Sequence, residues 1–110
     1  MTALDISMGL RNLNGNEQLY NKLLRRFADS NIQAGQEIRT AVDAGDNETA
    51  VRLAHTLKGV AASLGAPDLS AEALTVEQLL KNGGTLEADG LNALEAALGQ
   101  ALEAINARLG

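Results

Sequence analysis

One short stretch of this 110-residue chain, Ala54-His55-Thr56-Leu57-Lys58-Gly59, sets its only histidine beside a lysine and a glycine. Successive helical residues turn by about 100°, so His55 lies about 160° around the axis from both Leu53 and Leu57. Leu53, Leu57, Val60, Ala61 and Leu64 recur at the spacing of a buried stripe, and His55 therefore faces outward. The residues three and four away share its face: Val51 and Arg52 on one side, Lys58 and Gly59 on the other. A glycine inside a helix costs about 1 kcal/mol relative to alanine. Gly59 also points away from the stripe, which leaves access as its use: bare backbone beside the imidazole, where a second molecule can approach.

An exposed imidazole with a nearby cation and a cleared approach suits a phosphoryl acceptor. A free imidazole, with a reference pKa of about 6.5, is largely uncharged near neutral pH and offers a nitrogen lone pair. Arg52 and Lys58 would repel a positive ring and attract a dianionic phosphoryl group. A charge-assisted hydrogen bond is worth about 1.5–3 kcal/mol, enough to hold a phosphoryl group but not to drive its transfer from a nucleoside triphosphate. Other chemistries are less complete. A metal site needs three or four suitable ligands, and the chain has one histidine and no cysteine. General base catalysis needs an orienting carboxylate, for which Glu48 is the nearest in sequence. A plain solvated histidine stays open as the alternative, as does a solvated Arg52.

His55-Thr56-Leu57-Lys58-Gly59, with Ala54 before it and Ala61, Ser63, Leu64 and Gly65 after it, resembles the signature of histidine-containing phosphotransfer (HPt) domains. These carry phosphoryl groups in His–Asp phosphorelays. The stretch from Gly9-Leu10 to Phe27 is similar to the family's first helices, and Val76-Glu77 stands where the family has a residue near the histidine. The resemblance implies that His55 is phosphorylated, that Lys58 assists and that Gly59 provides room. It also implies a place near the phosphoryl group for Ser63, which lies about 80° further round the helix and so out of direct reach of the ring. Glu77 and Gln78 reach His55 only if the next helix packs antiparallel beside it. Glu77 then either orients the ring or is a plain surface glutamate.

The bulk properties agree with a protein partner. The length suits one domain, residues 1–110, with one modest core. No cysteine means no disulfide or thiolate chemistry, in keeping with a reducing, cytoplasmic setting. No apolar run approaches the length that spans a bilayer, and no signal peptide opens the chain. A formal net charge of −5 with one Tyr and one Phe argues against nucleic acid, whose recognition uses basic surfaces and stacking rings.

The elements that must position His55 are all helical. Asp5 or Ser7 caps a short helix to about Leu13, stopped by Asn14-Gly15. Asn16 caps a long segment carrying Tyr20, Leu24, Phe27, Ala34, Ile38 and Val42, which Asn31 and Gly35 weaken in the middle. It is one bent helix or two, ending at Gly45. The histidine helix begins at Asp46 or Asn47 and ends at Gly65. Pro67 opens the next, with Leu69, Ala73, Val76 and Leu80 inward, and Asn82-Gly83-Gly84 ends it. A last helix begins between Thr85 and Gly90, with Leu91, Leu94, Leu98, Leu102, Ile105 and Leu109 as its stripe. The expected fold is all-α: an antiparallel up-and-down four-helix bundle with a short extra N-terminal helix.

The expected function is a phosphorelay carrier that takes a phosphoryl group from one receiver aspartate and gives it to another. The receivers are expected to supply a divalent metal ion, this domain binding no cofactor of its own. Docking would use Gly59, Ala62 and the exposed side of the Asn16–Phe27 segment, where Lys22, Arg25 and Arg26 would meet an acidic receiver face. Tyr20 and Leu24 are docking candidates beside Lys22 and Arg26, although Tyr20, Leu24 and Phe27 also fit a core. Two rivals remain: a helical module that binds a receiver without transferring phosphate, and a dimerisation domain phosphorylated by its own attached kinase. A monomer is expected, cut from the C-terminal end of a larger sensor kinase that is anchored in a membrane elsewhere.

Overall fold

The computed structural model describes residues 2–110, which form six helices: α1 (Ile6–Arg11), α2 (Glu17–Asn31), α3 (Ala34–Asp43), α4 (Asn47–Leu64), α5 (Pro67–Lys81) and α6 (Ala88–Leu109). The starts are fixed by side-chain caps. Asp5, Asn16 and Asp46 each accept a hydrogen bond from the backbone N–H three residues on, at 3.0–3.2 Å, which satisfies a donor that the helix itself leaves free. At the other end of α4, Gly65 takes the left-handed conformation with φ +82°. Pro67 then opens α5, where its missing N–H costs nothing.

The long second segment is two helices. Only Ile32 and Gln33 separate α2 from α3. Asn31 turns its side-chain amide back to the Phe27 carbonyl at 3.1 Å, the local competition that makes asparagine a poor helix-interior residue. Gly35 is buried, and its missing side chain is what lets Glu95 of α6 pack so close. Both halves pack against α4 and α6, so α2 and α3 act as one broken member of a bundle that α4, α5 and α6 complete. The extra helix α1 lies across the end of α4. A Cβ on Gly9 would stand 2.5 Å from the Leu64 carbonyl oxygen and from the Tyr20 ring, which requires glycine there.

One core runs through the bundle, from Tyr20, Leu24 and Phe27 to Leu94, Leu98 and Ile105. The most extensive packing joins α4 and α5, where the buried face of α4 is Ala50, Ala54, Leu57, Ala61 and Leu64. This differs from the expected stripe in two members: Leu53 is half-buried, and Val60 is 37% exposed. Alanine adds little to a hydrophobic pattern, yet small residues let two helices approach closely. Leu69, Ala73, Val76 and Leu80 of α5 face the core as expected. Tyr20 and Leu24 are fully buried. They belong to the core, which removes them as docking residues.

Candidate functional site

The mid-section of α4 carries the histidine on the side away from its alanine face. The His55 side chain is 64% exposed, as the helical spacing requires. Its Nδ1 lies 2.6 Å from Oε2 of Glu77 on α5. The other carboxylate oxygen of Glu77 accepts a hydrogen bond from Lys58 Nζ at 2.8 Å. A residue from the next helix thus ties together the two residues that the sequence placed one turn apart. The register of α5 against α4 is held nearby by Ser70, whose hydroxyl donates to the Lys58 carbonyl at 3.1 Å.

Glu77 is the only buried charged side chain among the described residues, at 7% exposure. Burying a carboxylate is costly unless it is paired, and here both oxygens are used. The Lys58 hydrogen bond is the largest influence holding its carboxyl below the usual range; burial opposes this, and the His55 hydrogen bond adds to it. An ionised carboxylate only accepts hydrogen bonds, so the proton between it and the ring belongs to Nδ1. That fixes the tautomer of the neutral ring and leaves the Nε2 lone pair free. Because Nδ1 donates to Glu77, its 3.4 Å approach to Lys58 Nζ is a neighbourhood and not a second hydrogen bond.

Beside the ring, α2 and α4 enclose an open groove of about 620 Å³, lined by Leu23, Arg26 and Phe27 on one wall and Thr56, Gly59, Val60 and Ser63 on the other. A Cβ built on Gly59 meets nothing within 4 Å. The bare backbone expected beside His55 is there, and the fold itself makes no use of the space. Ser63 donates its hydroxyl to the Gly59 carbonyl at 3.0 Å, so it lines the groove without bonding the ring.

The remaining candidates are distributed differently. Arg52 lines a shallow hollow between α3 and α4 with Asp46 and Thr49, and its charge acts on Asp46; Lys58 is the cation at the ring. Glu77, and not Glu48, is the carboxylate that orients the imidazole. Gln78, its neighbour, is exposed and makes no hydrogen bond to His55. Of the basic cluster on α2, Arg26 lines the groove, Arg25 lies beside the end of α6, and Lys22 is exposed. Ala62 is exposed but lies outside the groove lining. The burial of Glu77 had a readable signal: it stands four residues after Ala73 and three before Leu80, on the flank of the apolar stripe of α5. Among the described residues, no three His, Cys, Asp or Glu side chains converge to hold a metal ion, and no helix is long and apolar enough to cross a membrane.

Comparison with known proteins gives a consistent result. Residues 22–107 match the family model described as Hpt domain. The fold is similar to the crystal structure of the HPT domain from a sensor hybrid histidine kinase of Shewanella, with a TM-score of 0.86 and 23% identity over 97% of this chain and 93% of that one. No curated protein matches the chain.

Proposed function

The chain belongs to the Hpt domain family, whose members are histidine phosphotransfer carriers of phosphorelays and work with receiver domains, and on that premise we propose that His55 is the residue that carries the phosphoryl group. The observation that supports this most is the 2.6 Å bond from Nδ1 to Glu77 on a ring that is otherwise exposed. It directs Nδ1 to Glu77 and leaves Nε2 as the nitrogen available to attack, at the edge of an open groove.

The reaction is a displacement at phosphorus. The Nε2 lone pair attacks the phosphorus of an aspartyl phosphate on a receiver, and the phosphorus–oxygen bond breaks with its electron pair returning to the aspartate carboxylate. Transfer onward is the reverse, with a second receiver aspartate as the attacking group. The divalent metal ion that such a transfer needs belongs to the receiver in this reading. Gly59 and the groove between α2 and α4 take the receiver surface, and Arg26, with Lys22 nearby, meets its acidic face. Lys58, already beside the ring, neutralises the arriving phosphoryl charge. The domain acts as a monomer, since α2 with α3, α4, α5 and α6 close the bundle within one chain, whereas a kinase dimerisation domain builds its bundle from two.

The test uses receiver domains carrying a radiolabelled aspartyl phosphate with Mg2+. Wild type should gain an acid-labile, alkali-stable label and His55→Gln should gain none. Binding without label would favour the non-transferring module, and equal label on both proteins would exclude His55 as the carrier.

A further inference from the structure

Glu77 does two things that one carboxylate need not do together. One oxygen accepts the Nδ1 proton at 2.6 Å, and the other holds Lys58 Nζ at 2.8 Å. A neutral amide would orient the ring equally well through its carbonyl oxygen, without the cost of burying a charge. The charge itself therefore has a consequence to account for.

We propose that the negative charge of Glu77 sets how long a phosphoryl group stays on His55 and how readily it leaves, making Glu77 a positioning residue that also tunes the lability of the phosphohistidine. The inference rests on His55 being the carrier. When Nε2 bonds to phosphorus, Nδ1 keeps its proton and the ring becomes a phosphorylated imidazolium. When a receiver carboxylate or water then attacks phosphorus, the P–Nε2 bond breaks and its electron pair returns to Nε2, so the leaving group is a neutral imidazole. If Nδ1 had lost its proton, the leaving group would be an imidazole anion, and departure would be far slower.

A buried carboxylate against Nδ1–H stabilises the cationic ring without taking its proton, as the aspartate of a hydrolase triad does for its histidine. Glu77 thus keeps the phosphohistidine in its labile form. It also restrains Lys58, which would otherwise turn wholly to the phosphoryl oxygens and steady them. Keeping the Nδ1 proton in place and drawing Lys58 away from the phosphoryl oxygens both favour departure. The charged groups facing the ring are few: Lys58 on α4, Glu77 on α5, and Arg26 of α2 on the groove wall.

The two halves can be separated by substitution. Wild type, Glu77→Gln, Lys58→Gln and His55→Gln are phosphorylated with potassium phosphoramidate, which needs no receiver, and loss of the phosphate at neutral pH is followed by intact-protein mass spectrometry. Glu77→Gln keeps an acceptor for Nδ1–H but removes the charge, and its phosphohistidine half-life should lengthen by roughly fivefold, the scale separating a charge-assisted from a neutral hydrogen bond. Lys58→Gln leaves Glu77 to the ring alone and removes the cation, and its half-life should shorten. A Glu77→Gln half-life equal to or below that of wild type overturns the inference, as does a Lys58→Gln half-life equal to or above it, which keeps the test open if the glutamine variant does not fold. Failure of the carrier reading looks different: wild type then gains no more phosphate than His55→Gln.

Discussion

At the scale of single residues, the candidate site consists of one exposed imidazole and the groups that orient it and leave its approach open. Gly59 makes this plainest, because the space beside it serves no packing purpose. Gly59→Ala should raise folding stability by about 1 kcal/mol, the ordinary helix preference for alanine over glycine, as measured by thermal denaturation. Gly59→Leu should stay folded yet transfer phosphate from a receiver at least about tenfold more slowly, since a clash at a docking surface readily costs more than 1.4 kcal/mol. A fully active Gly59→Leu would mean that the receiver approaches elsewhere. His55, Lys58 and Gly59 were legible in the sequence because each follows from position on one helix. The family resemblance marks Glu77, with orienting the ring and a plain surface glutamate both open. Its bond to the ring depends on how α5 is set against α4, and the periodicity of a single helix carries no information about its neighbour's register. Arg52, open in the sequence between a role at the ring and a solvated one, is exposed and lines the hollow beside Asp46 and Thr49.

At the scale of helices, the end of α4 is the anchor that shapes the groove. The Tyr20 hydroxyl donates to the Leu64 carbonyl at 2.8 Å, a carbonyl in the last turn that has no helical partner of its own. Gly9 of α1 packs against the same atoms, and α2 is thereby pinned beside α4 with the groove between them. Tyr20→Phe should cost about 0.5–1.5 kcal/mol, the value of one hydrogen bond, and Gly9→Ala about 1–3 kcal/mol through overpacking. Urea unfolding checks both, and both variants should still accept phosphate, because His55 lies more than two turns along α4 from this contact. A Gly9→Ala protein as stable as wild type would mean that α1 is not held there. The boundaries of these helices were readable because caps, glycines and Pro67 act locally. The inward face of α4 was read less well: Val60 looked inward by hydropathy, but the alanines hold the close contact with α5 and leave Val60 at the groove's edge.

At the scale of the whole molecule, a bundle closed within one chain presents one histidine to solvent, with two side chains from two helices, Lys58 and Glu77, set against it. The basic residues on α2 add direction. Lys22, Arg25 and Arg26 take part in none of the ion pairs found among the described residues, on a chain whose formal net charge is −5, so they oppose the general sign, and Arg26 does so at the groove itself. The all-helical class could be read from the chain because four segments each carry an apolar stripe. The pairing of those segments could not, and the pairing of α4 with α5 is what ties an exposed histidine to Glu77 and orients its ring. Carriage, the central claim, requires that the group taken up is also given back. The most direct measurement is a chase: the domain, labelled on His55 and freed of its donor, is mixed with an unlabelled receiver and Mg2+. The label should move to the receiver's aspartate within the lifetime of the phosphohistidine. If it instead stays on the domain or appears only as inorganic phosphate with every receiver tried, this protein is not a carrier.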